Sequence, residues 1–169
     1  MPDSFEHTPT VCIRMPNGAL ASLAGNVDPH HQVAVTDLVL AQARVRTTIE
    51  ELMKTIDPDL VGLSIMTFQR KTAKKIIDLL RSLRANVRIV VGGYDPSMAP
   101  EAYTDSDVDF IVLGEGEITF RELLRAIENN RGYEGILGLS YREADRFHHN
   151  SERPVSGLEG SEIRLPDRG

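Results

Sequence analysis

The run Leu60-Val61-Gly62-Leu63-Ser64-Ile65-Met66 is almost unbroken in its apolarity and shows no alternation. A strand of that kind cannot leave one face in water, so it calls for a sheet covered on both sides. It is the best candidate for a central parallel strand. Two further runs of the same character stand at 87–91 and 108–113. The segments between them follow a different period. Ile49, Leu52, Met53 and Ile56 recur at i, i+3, i+4 and i+7, and Asp57-Pro58 stops that helix. Ala73, Ile76, Ile77, Leu80 and Leu83 repeat the spacing, leaving Lys71, Lys74, Lys75 and Arg81 for a solvated face. Phe120, Leu123, Leu124 and Ile127 mark a third helix. Strands alternating with helices give an α/β fold: a three-layer, doubly wound parallel sheet, because each right-handed crossover must carry its helix over a face.

The flanking segments extend this pattern. Residues 10–15, with Val11 and Ile13, predict a first strand that ends at the turn Pro16-Asn17-Gly18. A short helix-prone piece at 19–25 precedes a second strand at 32–38, read from Val33 and Val35. A short helical piece is expected around 99–103. Residues 136–142 read as a further strand, with 146–150 returning as a hairpin partner at the sheet edge. Residues 1–150 then form one domain, and the shift to Pro, Gly, Ser and charge over 151–169 reads as a linker. A chain near 150 residues buries roughly 70% of its unfolded surface and supports its own core.

Composition narrows the function. A net charge of −6 argues against nucleic acid as a partner, since that affinity depends on basic side chains neutralising phosphates. The first residues lack the basic and apolar regions of a signal peptide, and no apolar run approaches a membrane span, so no membrane is expected and the cytoplasm is the default compartment. The single cysteine, Cys12, excludes an internal disulfide, a four-cysteine zinc site and an unaided iron–sulfur cluster. Cys12 itself reads as a small buried hydrophobe within the first strand.

Ligands of an open parallel sheet bind beyond the carboxyl ends of its strands. Four such exits stand out: Met15-Pro16-Asn17-Gly18, Ser64-Ile65-Met66-Thr67, Gly92-Gly93-Tyr94-Asp95-Pro96 and Gly114-Glu115-Gly116-Glu117. Each also has a plain structural reading. Ser64 and Thr67 can cap the helix beginning near Gln69, Gly92 and Gly93 can serve a turn with positive φ, and Glu115 and Glu117 can complement the positive end of the following helix. The two carboxylates disfavour a nucleotide triphosphate, and no P-loop or dinucleotide glycine fingerprint is present. His30-His31 falls before the expected second strand, on the rim opposite these exits, and reads as a solvated turn; His148-His149 reads as part of the hairpin. No metal-ligating set and no catalytic residue are expected, since no nucleophile, base and orienting acid occur at a recognisable spacing.

Taken together, 57–67, Val90-Val91-Gly92-Gly93-Tyr94-Asp95-Pro96, the 108–120 segment with Gly114-Glu115-Gly116-Glu117 and Thr119-Phe120, and 135–142 resemble, in order and spacing, the cobalamin-binding domain of cobalamin-dependent radical SAM enzymes. The resemblance covers roughly 11–142 and is most specific at the glutamate-glycine motif. It implies a flavodoxin-like (Rossmann-like) sheet with the nucleotide tail of cobalamin inserted at the carboxyl edge. By resemblance, Ser64 and Thr67 contact the tail, Gly92 and Gly93 leave room for its base, and Gly114, Glu115, Gly116 and Glu117 line the same pocket. Met66 and Tyr94 join this cofactor-binding set. Related domains that supply a histidine to cobalt do so from an Asp-x-His-x-x-Gly motif after the first strand. Met15-Pro16-Asn17-Gly18 has no histidine, and Asp28-Pro29-His30 has Val33 where the glycine belongs. Cobalt without a histidine lower ligand is therefore expected. Tyr94-Asp95 departs from the proline and histidine common after the paired glycines. The resemblance also implies a radical SAM barrel, in cis or in trans, that binds S-adenosylmethionine and a [4Fe-4S] cluster, with the chain alone not catalytic. The alternative is a flavodoxin-like signalling or flavin- or nucleotide-binding domain.

Overall fold

A computed structural model describes residues 18–144 and 146–154. The expected first strand, with Cys12, and most of the expected linker lie outside them. In chain order the elements are α1 (Gly18–Asn26), α2 (Leu38–Ala41), α3 (Val45–Ile56), β1 (Leu60–Ser64), α4 (Arg70–Leu83) and β2 (Arg88–Gly92). Then come α5 (Tyr94–Met98), β3 (Phe110–Val112), α6 (Gly116–Glu128), β4 (Leu139–Glu143) and β5 (Arg146–His149). Short 3-10 turns lie at Gln42–Arg44 and Thr67–Gln69, and a third, Pro100–Tyr103, follows α5 and answers to the helical piece expected there.

The described strands form one sheet in the order β1-β2-β3-β4-β5. β1, β2 and β3 run parallel, with Ser64 level with Gly92. β4 and β5 are antiparallel to their neighbours, so the expected hairpin forms and the sheet is mixed rather than purely parallel. Among the described strands β1 stands at the end of the order, not at its centre.

Alternate residues of each strand enter two separate cores, as the pleat requires. Ile89, Val91 and Ile111 pack with Val45 and Ile49 of α3 and with Ala73, Ile76, Ile77 and Leu80 of α4. Val90, Phe110, Val112, Leu139 and Tyr141 pack on the other face with Leu123 and Ala126 of α6. Helix α1 lies against α6 on that second face. The architecture is a three-layer, Rossmann-like sandwich.

Two expectations fail for physical reasons. Residues 32–37 form no strand; Val33 and Val35 are about half exposed, and none of the described strands pairs with them. The run ends where the Asp37 carboxylate accepts the backbone N–H of Val39 at 2.9 Å and starts α2. Arg81 is not on a solvated face. Its guanidinium, 15% exposed, donates to the carbonyls of Ala85, Val87 and Asp107 and to the Asp109 carboxylate at 2.7 Å. Asp109 Oδ2 also accepts the Ile89 N–H at 2.7 Å, so this arginine closes the sheet at its amino-terminal edge.

Ile111, fully buried in β3, can be truncated only by opening a cavity between the sheet and α4. Ile111→Ala should lower unfolding free energy by about 3 kcal/mol in urea titrations, whereas Lys71→Ala, on the exposed face of α4, should stay within about 0.5 kcal/mol.

Candidate functional site

Three loops leave the parallel strands at the carboxyl edge and are laced to one another. Ile65, just past β1, donates its N–H to the Gly92 carbonyl at 2.8 Å and accepts the Asp95 N–H at 3.0 Å. Ser97 joins the second loop to the third: its hydroxyl donates to the Gly93 carbonyl at 2.8 Å and accepts the Gly114 N–H at 2.9 Å. The first two loops are therefore fixed to each other by backbone hydrogen bonds, and the second to the third by the Ser97 hydroxyl.

Gly93 is where the first two loops come closest. Its φ is +94°, and a Cβ there would stand 2.8 Å from Ile65 N and 3.0 Å from both Ile65 O and Ser64 Oγ. No side chain fits without moving backbone. Gly92 and Gly116 are small for a similar reason, since added Cβ atoms would meet Val112 at 3.4 Å (carbonyl oxygen) and 3.3 Å (Cγ1) respectively. Gly114 differs: its φ is +69°, and an added Cβ would have nothing within 4 Å.

Beneath the first two loops lies the Asp95 carboxylate, 1% exposed. Arg70, at the start of α4, grips it with two hydrogen bonds of 2.7 Å, from Nε to Oδ2 and from Nη2 to Oδ1. The Tyr103 hydroxyl donates to Oδ2 at 2.6 Å, and the Thr67 hydroxyl adds a further hydrogen bond. Arg70 chiefly, with Tyr103 and Thr67, holds the Asp95 carboxyl down at about 2 against the upward push of burial. Burial, aided by the neighbouring carboxylate, pushes the Tyr103 hydroxyl well above its ordinary range. The network ties the exit of β1, the start of α4, the loop after β2 and the turn before β3 into one unit.

Above this polar footing the rim is apolar. Met66, Phe68, Tyr94 and Met98 all project into solvent, Phe68 with 73% and Met98 with 68% of its surface exposed. Four large apolar side chains exposed at one sheet edge are the kind of patch that marks an interaction site.

All ten expected site residues stand at this edge, but in different roles. Met66, Thr67, Tyr94, Gly114 and Glu115 are exposed; Ser64, Gly92, Gly93, Gly116 and Glu117 are partly buried. Thr67 turns to Asp95 rather than capping α4, whose N-terminal Gln69 makes no side-chain cap. Glu117 lies in the first turn of α6 and accepts the Ser22 hydroxyl of α1 at 2.7 Å. Asp95, the departure noted after the paired glycines, faces inward. Ser97, Arg70 and Tyr103 escaped the sequence reading, because nothing in local spacing pairs an arginine with a carboxylate 25 residues on. Among the described residues no histidine lies in the three loops: His30 and His31 are beside Glu128 at the far end of α6, while His148 stacks on Tyr141 and His149 meets Ser140 in the hairpin.

The family model of the B12 binding domain matches residues 14–124, which include all three loops. The chain belongs to the B12-binding domain family. An uncharacterized methyltransferase of Pyrococcus horikoshii is 35% identical to this B12-binding domain over 138 residues, covering 80% of the chain and 30% of the relative. The 4'-phospho-dehydrooxetanocin synthase of Priestia megaterium is 29% identical over 161 residues, covering 90% of the chain and 21% of the relative. Among solved structures, the cobalamin-dependent S-adenosylmethionine radical enzyme OxsB with aqua-cobalamin and S-adenosylmethionine bound matches with a TM-score of 0.76 at 25% identity, over 90% of this chain and 21% of that one. The radical S-adenosylmethionine methyltransferase TsrM from Kitasatospora setae, with cobalamin and a [4Fe-4S] cluster bound, shares the fold with a TM-score of 0.76 at 22% identity, over 94% of this chain and 30% of that one. The B12-binding domain thus spans less than a third of the length of these relatives.

Two outcomes test the footing of the site. Gly93→Ala should cost about 2–4 kcal/mol in urea unfolding, from left-handed strain plus overlap with Ile65. The Asp95 carboxyl is held at about 2 when folded against an ordinary 3.8, so its contribution is complete only above about pH 5 and drains away as pH falls toward 2. Asp95→Asn should cost about 1–2 kcal/mol at neutral pH, the lower part of the range for a charged hydrogen bond because Arg70 keeps about a third of its exposure, and should flatten that acid limb in melts between pH 5 and 2.

Proposed function

We propose that this domain holds cobalamin by its nucleotide tail at the carboxyl edge, without a histidine lower ligand, and presents the corrin to a radical SAM barrel. The carrying observation is the open edge itself: three loops locked to one another, an unfilled position over Gly114 and a rim of exposed Met66, Phe68, Tyr94 and Met98, all within the span that the family model covers. These residues fit the cofactor. A flat, largely apolar corrin needs an apolar face, and a polar tail needs hydroxyls and backbone groups. Ser64 and Thr67 supply hydroxyls, Met66 and Tyr94 flank them, and Gly92 and Gly93 bring backbone rather than side chain to the ligand. Gly114, Glu115, Gly116 and Glu117 close the edge on the side of α6.

Cobalamin, when bound, supplies a cobalt centre that carries a methyl group or takes part in a radical step. The chain's own residues orient it. The laced loops hold the edge in shape before the ligand arrives, so little ordering is left to offset on binding. The absence of a histidine from the described loops supports a base-off arrangement. The barrel, with its S-adenosylmethionine and [4Fe-4S] cluster, is inferred from the likeness to OxsB, whose structure holds S-adenosylmethionine, and to TsrM, whose structure holds a [4Fe-4S] cluster. The exposed rim is the face it would cover. No observation favours the signalling or flavin reading, and family membership weighs against it.

The purified chain should retain about one hydroxocobalamin after desalting, with the visible spectrum of the base-off form. No corrin absorbance co-eluting with the protein would overturn the proposal, and a spectrum showing a nitrogen ligand below cobalt, from a histidine or from the cofactor's own base, would overturn the ligand assignment. Ser97→Ala, which removes the link between the second and third loops, should weaken binding roughly fivefold while leaving the circular dichroism unchanged.

A further inference from the structure

At the end of α6 remote from the cofactor edge, the fold assembles a group that no motif announces. His30 and His31, in the loop after α1, meet Glu128 in the last turn of α6, and one ligand atom from each lies within 4.8 Å of the other two. His30 Nε2 is 3.0 Å from Glu128 Oε1, and the two imidazoles lie against each other, tilted by 37°, with centroids 4.2 Å apart. His31 Nε2 is shut off from solvent and has no hydrogen-bond partner among the described residues. A buried imidazole nitrogen left unsatisfied calls for a ligand.

We propose that His30, His31 and Glu128 bind a divalent first-row transition ion, zinc above others. Two imidazole nitrogens and one carboxylate oxygen are a zinc donor set that leaves the fourth tetrahedral position to water. The loop that offers the histidines is already held in place. Buried Asn26 donates to the Ser22 carbonyl at 2.8 Å, and the His31 N–H closes a turn on Asp28 O at 3.1 Å. The Asp28 carboxylate takes a forked pair of hydrogen bonds from Arg125, at 2.6 and 2.9 Å, one turn before Glu128 on the same helix. That pair anchors the loop to α6 and engages the Arg125 guanidinium, while the Glu128 carboxylate faces His30. His30 and Glu128 are roughly half exposed, and rotation of their side chains is enough to close on an ion at about 2.0–2.2 Å. The ion would staple the α1 loop to α6. Glu128 is 12 residues from Gly116, about 18 Å along the helix, so the site is independent of the cofactor edge.

The test uses the tag-free chain stripped with a chelator and titrated with Zn²⁺ against a chromophoric competitor. One zinc should bind per chain at micromolar or lower free concentration and raise the melting temperature. His30→Gln and Glu128→Gln, both at partly exposed positions, should each weaken it by roughly tenfold or more with unchanged circular dichroism, while His148→Gln in the hairpin should not. Co²⁺ in place of zinc should give visible bands that the same two variants abolish. Failure to bind one equivalent, or binding undiminished in both variants, would overturn the assignment.

Discussion

The buried Asp95 carboxylate is the interaction on which this domain's working edge depends. A charge taken out of water is tolerated only when its oxygens are fully used, and here Arg70, Tyr103 and Thr67 use them. Each partner belongs to a different element. Thr67 sits on the loop after β1, Arg70 opens α4, and Tyr103 closes the turn before β3. The carboxylate therefore sets the height of the loop after β2, and that loop sets the third through Ser97. Gly93 permits the arrangement, because only a residue without a Cβ brings its backbone this close to Ile65.

Much of this was legible in the sequence, and the reason is burial on two faces. Strands β1, β2 and β3 declare themselves because Val61, Ile89 and Ile111 enter one core while Leu60, Val90 and Phe110 enter the other, leaving no room for polar alternation. Helix α4 is equally plain from Ala73, Ile76, Ile77 and Leu80. The failure at 32–38 has the opposite cause. Val33 and Val35 carry β propensity but are not buried, and a single carboxylate, Asp37, was enough to start a helical turn instead. Arg81 misled because a lysine-rich helix face looks solvated until three carbonyls and Asp109 are found beneath its guanidinium.

The site divides along the same line. Glycines and hydroxyls at strand exits can be read from sequence, since topology alone sends every parallel strand exit to one edge. What holds them there cannot, because it comes from pairings between residues far apart in the chain, such as Arg70 with Asp95, Ser22 with Glu117 and His30 with Glu128. The likeness to cobalamin-dependent radical SAM enzymes gave the ligand class; the structure shows which of the ten residues are packed and which are exposed. Ser64, Gly92, Gly93, Gly116 and Glu117 are packed into the edge, and Met66, Thr67, Tyr94, Gly114 and Glu115 stand exposed on it.

The central claim is that the edge grips the nucleotide tail rather than the corrin alone. Its most direct test compares cobalamin with cobinamide, which keeps the corrin and cobalt but lacks the nucleotide, by equilibrium dialysis against the same chain. The account predicts strong preference for cobalamin, with hydrogen exchange slowed in the loops after β1, β2 and β3 only when the tail is present. Equal retention of the two corrinoids, or protection confined to other parts of the domain, would contradict it.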